Sequence, residues 1–167
     1  SPSSGKATAD VTVSVDMNKT KLSRSGTITF VNNDVNNGRG KSIRMDVSQS
    51  PYVFDVDFGH SYLTLEPVLD QQSSSYTVTV NSSGRWQVSS DASWVKLSSN
   101  GGDSSGKFTI NIDNNTTSAL RSAKVVVTNL DLPSGNIETL SITQKGFEFS
   151  VSCFYTLDFK ALAAKQS

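Results

Sequence analysis

The chain has 167 residues, with fifteen basic residues balanced by fifteen acidic ones and no net charge. Balanced and unclustered charge excludes the electropositive face that nucleic acid or an anionic membrane would need. No apolar run reaches the roughly 18 residues of a membrane span, and the lone Cys153 excludes an internal disulfide framework, so an apolar core must hold the fold.

Hydrophobic residues make up 35% and charged residues 18%, and the remainder is dominated by Ser, Thr, Asn and Gly. That balance suits short strands joined by polar turns. In chain order, Val11, Val13 and Val15 alternate with polar residues, and Ile28 and Phe30 follow after Arg24. Gln49 closes the next apolar segment, and Tyr52-Val-Phe54-Asp-Val56 continues the alternation. Tyr62 to Glu66 reads as a strand. Tyr76, Val78 and Val80 alternate with hydroxyl residues, Trp86 and Val88 with Arg85 and Gln87, and Phe108, Ile110 and Ile112 with Thr109 and Asn111. The more continuous Ala123 to Val127 predicts a central strand. Asn81–Gly84, Asn100–Asp103 and Leu132–Asn136 predict turns. These elements predict an all-β, immunoglobulin-like antiparallel β-sandwich.

The chain also repeats itself. Val11–Asp34 aligns with Phe108–Asp131 without a gap at an offset of 97, with Thr20, Arg24, Asn32 and Asp34 answering Thr117, Arg121, Asn129 and Asp131. Beyond this block the offset falls to 95, so that Gln49 faces Gln144 and DVSQSPYVFDV faces SITQKGFEFSV. A loop absorbs the two-residue difference. The period is one sandwich. Residues 1–58 are therefore expected to be the C-terminal part of one module, 59–146 a complete module, and 147–167 a linker and the first strand of a further one. Val11, Val13, Val15, Ile28 and Phe30 would then lack the strands that cover them. The alternating Tyr52–Val56 and Phe147–Val151 contain no Gly/Ser tether, which predicts stiff connections with Phe54 and Phe149 packed at the boundaries.

The stretch Gly84-Arg-Trp86-Gln-Val-Ser-Ser-Asp-Ala-Ser-Trp94-Val-Lys-Leu, the later Asp113-Asn-Asn and Arg121, and the closing Ile142-Thr-Gln144-Lys-Gly146 resemble a BACON domain. The resemblance is good over 60–146. In the N-terminal segment the closing motif is degraded to Val47-Ser-Gln49-Ser-Pro51. It implies an immunoglobulin-like module on surface or secreted proteins of Bacteroidetes, or on virions of phages infecting them, acting as a spacer or binding carbohydrate or mucin. Fold alone does not choose between these roles.

Trp86 and Trp94 could offer platforms to sugar rings, but Trp86 is in phase with Val88 and belongs in the core, where it is structural. The candidate glycan-binding aromatics are thus Trp94, Tyr62 and Tyr155. Arg24 and Arg121 recur at equivalent positions, as do Gln49 and Gln144, which favours structural roles: guanidinium forks and strand-end amides tying loops to carbonyls. His60 with Asp55 and Asp57 is the one constellation that invites catalysis or a metal. The aspartates align with Ser150 and Ser152 in the other copy, so the module does not need them. No nucleophile elbow, phosphate loop or metal motif appears. The expectation is a non-catalytic extracellular or cell-surface spacer without cofactor. Its partners would be neighbouring modules and surface or mucin glycans, with no nucleic acid and no membrane insertion.

Overall fold

The computed structural model describes residues 10–32, 41–69, 74–132, 136–150 and 152. Eleven strands and no helix are present among them: β1 (Arg24–Val31), β2 (Ser42–Gln49), β3 (Phe54–Asp57), β4 (Tyr62–Leu65), β5 (Ser75–Ser82), β6 (Trp86–Ser90), β7 (Val95–Leu97), β8 (Gly101–Gly102), β9 (Gly106–Ile112), β10 (Arg121–Asn129) and β11 (Ile137–Gln144). A five-stranded sheet runs β4-β11-β10-β6-β8 and a four-stranded sheet runs β3-β5-β9-β7, while β1 and β2 form a separate hairpin. All pairs are antiparallel except β4 with β11, which is parallel.

The period-two pattern builds these strands as a sandwich. Val78, Val80, Phe108, Ile110 and Ile112 face inward from one sheet. Leu63, Leu65, Trp86, Val88, Ala123, Val125, Val127, Leu140 and Ile142 face them from the other. Each fully buried side chain of this size stabilises the fold by about 1.5–3 kcal/mol relative to exposure. As its apolar run predicts, β10 is the central strand, hydrogen-bonded to both β11 and β6.

One strand gains a named partner, and one expected turn becomes a strand. Phe54–Asp57, assigned with residues 1–58 on sequence alone, is hydrogen-bonded to β5 from Phe54↔Ser82 to Asp57↔Thr79. The strand therefore belongs to the sandwich sheet, and its half-buried Phe54 and Val56 pack on the core. Gly101–Gly102, expected inside a turn, pairs with Trp86 and Gln87 as a short strand. A Cβ at Gly102 would lie 3.0 Å from the Trp86 indole, so the ring takes the room a side chain would need.

The β1–β2 hairpin matches β10–β11 in register, with Arg24 opposite Gln49 as Arg121 is opposite Gln144. Nothing covers it among the described residues. Val11, Val13, Val15, Phe30 and Met45 are exposed, and Val13, Val15, Ile28 and Val47 line an open apolar groove of about 320 Å³.

Candidate functional site

At one end of the sandwich, Arg121 lies on the core-facing side of β10, in phase with Ala123 and Val125. Its guanidinium donates to Gln144 Oε1 through Nε at 2.9 Å and Nη2 at 2.7 Å, and to the Asp113 carbonyl at 2.6 Å. The fully buried Gln144 donates in turn to the carbonyls of Glu66 at 3.0 Å and Pro67 at 3.2 Å. This chain of bonds joins the ends of β4, β9, β10 and β11. Burial lowers the Arg121 pKa from its ordinary value, opposed by the nearby Asp113 charge.

The half-buried Trp94 carries that guanidinium 4.3 Å above its ring centroid. One ring face is therefore already occupied by a cation. Trp86 is buried, tilted against Phe108 at 5.8 Å, and its Nε1 donates to the Ser104 carbonyl at 2.8 Å. Tyr62 is 69% exposed. It pairs with Ser141, between the buried Leu140 and Ile142, and so points to the outer face of the five-stranded sheet. Trp94 packs against the core, on the opposite side of that sheet from Tyr62, and the two do not converge on one surface. Tyr155 lies outside the described residues.

In the N-terminal segment Arg24 Nε donates to Gln49 Oε1 at 2.7 Å and its Nη2 bonds the Asp16 carbonyl, the counterpart of Asp113. Asn18 and Asn115 repeat a second network. Each amide donates to two carbonyls, Leu22 and Ser50 in one case and Ala119 and Lys145 in the other. Each accepts from the Thr two residues on. The sequence comparison aligned these asparagines without assigning them a role; their recurrence between polar neighbours was the available signal.

Around Tyr52, in the segment expected to form a stiff connection, lies a junction whose bonding partners the sequence did not name. Its backbone N donates to the Thr20 carbonyl at 2.8 Å, and its ring is 6% exposed. The hydroxyl donates to Asn129 Oδ1 at 3.3 Å and accepts from Asn129 Nδ2 at 3.0 Å. An added Cβ at Gly84 would stand 2.6 Å from the Tyr52 hydroxyl and 2.5 Å from Asp131 Oδ2, so only glycine leaves room there. Asp131 accepts from Arg85 Nη2 at 2.7 Å, Nε at 3.1 Å and backbone N at 2.6 Å. Those bonds hold its carboxyl below the usual carboxylate range and raise the Arg85 pKa.

A shallow polar groove of about 380 Å³ runs beside this junction, lined by Arg85, Gln87, Asn100, Gly101, Gly102 and Asp103 among others. Its amides and carboxylate are groups that bond sugar hydroxyls, but the one aromatic beside it, Trp86, is buried. His60 sits edge-on to Tyr76 at 5.8 Å, and Asp57 accepts from Gly59 N at 2.8 Å in a turn. Among the described residues no group of three His, Cys, Asp or Glu is placed to hold a metal ion. No described helix is long and apolar enough to cross a membrane.

No match is found among curated proteins. Among solved structures, one titled "Bacteroides ovatus GH5 xyloglucanase in complex with a XXXG heptasaccharide" is similar at 19% identity with a TM-score of 0.47. The similarity covers 62% of this chain and 21% of that one, so the chain spans about a fifth of that structure's length. A family model named BACON, described as "Putative binding domain, N-terminal", matches residues 1–50 and 84–145. Those two stretches carry Arg24 with Gln49 and Arg121 with Gln144, and with more than half of the sequence matched the chain belongs to the BACON family.

Proposed function

We propose that the chain is a non-catalytic spacer of an extracellular, cell-surface or virion-surface protein, its modules joined stiffly end to end. The observation that carries this reading is Tyr52. One residue bonds the preceding segment through Thr20 and plugs the following sandwich beside Asn129 and Gly84. A spacer needs this kind of coupling, because a polar Gly/Ser tether would let the modules swing. The tryptophans support the same reading, since one is buried and the other lies under Arg121.

Small-angle scattering on the whole chain tests it. A single extended form, broadened by Tyr52→Ser, is the expected result, and an equally broad distribution in both proteins would remove the spacer mechanism. The second reading, glycan binding, is favoured by the exposed Tyr62 on the outer sheet face and by the family's description as a binding domain. Saturable binding of a mucin-type or plant-type glycan, lost in Tyr62→Ala, would establish it.

A further inference from the structure

We infer that Phe147 and Phe149 form an outgoing docking element for a further sandwich of this same kind, matching the way Tyr52 and Phe54 enter the sandwich described above. The inference rests on the spacer reading and names the surface that would extend it. The backbone is set identically at both places. Phe147 N donates to the Thr117 carbonyl at 2.7 Å, as Tyr52 N does to that of Thr20 at 2.8 Å. Asn115 and Asn18 clamp the carbonyls of Lys145 and Ser50, two residues before each aromatic, at 2.8 Å in both cases.

What differs is occupancy. Tyr52 is 6% exposed and Phe54 is half-buried in β3, whereas Phe147 is 43% exposed and Phe149 82%. The sequence predicts that Phe149 packs at the boundary with a further module, whose residues lie outside the described ones. Two exposed phenylalanines separated by one residue, on a segment held at its base, are costly in water and suited to burial against a partner. The partner's chemistry follows from what receives Tyr52: a glycine-floored socket at the end of a β10-type strand, next to a β5-type edge that takes the incoming strand. Ser83 N donates to the Val53 carbonyl and Ser83 Oγ accepts from Val53 N, both at 2.9 Å, and Glu148 occupies the equivalent place in the outgoing segment. Phe147 lacks the hydroxyl that Tyr52 shares with Asn129. The receiving socket for Phe147 therefore has no need of an amide partner.

A fusion of residues 1–152 to residues 58–167 tests this, because Phe147–Ser152 then stands where Tyr52–Asp57 stands. Hydrogen exchange at the amides of Glu148, Phe149 and Ser150 should slow by about tenfold or more relative to the unfused chain. Phe147→Ser should reverse the slowing, and Phe147→Tyr should keep or deepen it. Exchange unchanged by fusion with either Phe or Tyr at 147 overturns the inference. If the added sandwich fails to fold, Tyr52→Phe in the unfused chain decides. Protection retained at Val53 and Phe54 supports a phenylalanine plug, and its loss overturns it. Glycan binding by the unfused chain would count against the spacer reading but would leave these exchange rates unchanged, so the two failures are distinguishable.

Discussion

The hairpins β1–β2 and β10–β11 have the same register, the same Arg–Gln pair and the same Asn–Thr clamp, yet only one lies in a core. Val125 and Val127 are fully buried, while their counterparts Ile28 and Phe30 are half-buried and exposed. The polar fasteners therefore set local geometry without creating burial. A side chain-to-backbone bond in the open contributes little net free energy, because water would serve both partners almost as well. The same bond under a covering sheet becomes expensive to lose, since water cannot replace it. Burial, supplied by β4, β6 and the opposite sheet, turns a shared motif into a stable structure.

The comparison breaks most visibly at Trp86, which has no counterpart in the described part of the N-terminal segment. Trp86→Ala should cost the sandwich about 3–5 kcal/mol in chemical denaturation, through lost contacts and a cavity beside Phe108. A loss below about 1 kcal/mol would show that the ring is not a core element. The β1–β2 register should survive the change, since none of its pairs involves the indole.

The paired glutamines sharpen the comparison. Gln144→Leu removes the acceptor of two guanidinium bonds and the donor to Glu66 and Pro67, all in a fully buried site. It should cost roughly 2–3 kcal/mol. Gln49→Leu removes the equivalent group from a half-exposed position and should cost within about 0.5 kcal/mol. Equal losses would mean that the N-terminal hairpin is covered in solution. Hydrogen exchange asks the same question amide by amide. The β10 strand, paired on both sides, should exchange close to the global unfolding rate, and β1, paired on one side, much faster.

Much of the fold was legible because period-two alternation survives in nearly every strand, and the internal repeat, at an offset of 97 for Arg121 and 95 for Gln144, already gave both residues a structural setting. The short Gly101–Gly102 strand was not, since two glycines read as a turn and only the Trp86 ring beneath them explains the pairing. The partner of β3 was hidden for a similar reason. Tyr52–Val56 looked like a continuation of the preceding strand, whereas Phe54–Asp57 pairs with the sheet ahead of it. Strand alternation marks a strand but does not name its partner. The contacts of Tyr52 were not legible because Asn129 and Gly84 lie far away in sequence, and nothing in the repeat or the motif links either of them to Tyr52.

The smallest expected effect lies at the junction, in the response to acid. The Arg85 guanidinium and backbone N–H hold the Asp131 carboxyl below the usual carboxylate range. Its folded-state pKa is thus depressed relative to the unfolded chain. The ionised form favours folding, and its contribution is fully present above the ordinary carboxylate value. That contribution is lost as pH falls through the depressed value, where the folded protein also takes up the proton. Asp131→Asn keeps an oxygen acceptor but removes the charge, so the variant should be less stable than the parent near neutral pH. The difference should shrink in acid and vanish once the parent's carboxyl is protonated. The effect is modest because Arg85 is largely exposed and its charge is screened by water. Asp131 adjoins Tyr52 across Gly84, so acid should also loosen the tie to the preceding segment, while the Arg24–Gln49 hairpin bond, which contains no carboxylate, should persist. Denaturation midpoints of the two proteins at matched pH values check the first expectation. Exchange at the Tyr52 amide compared with β1 checks the second, and a stability difference that grows in acid would reverse the sign assigned to Asp131.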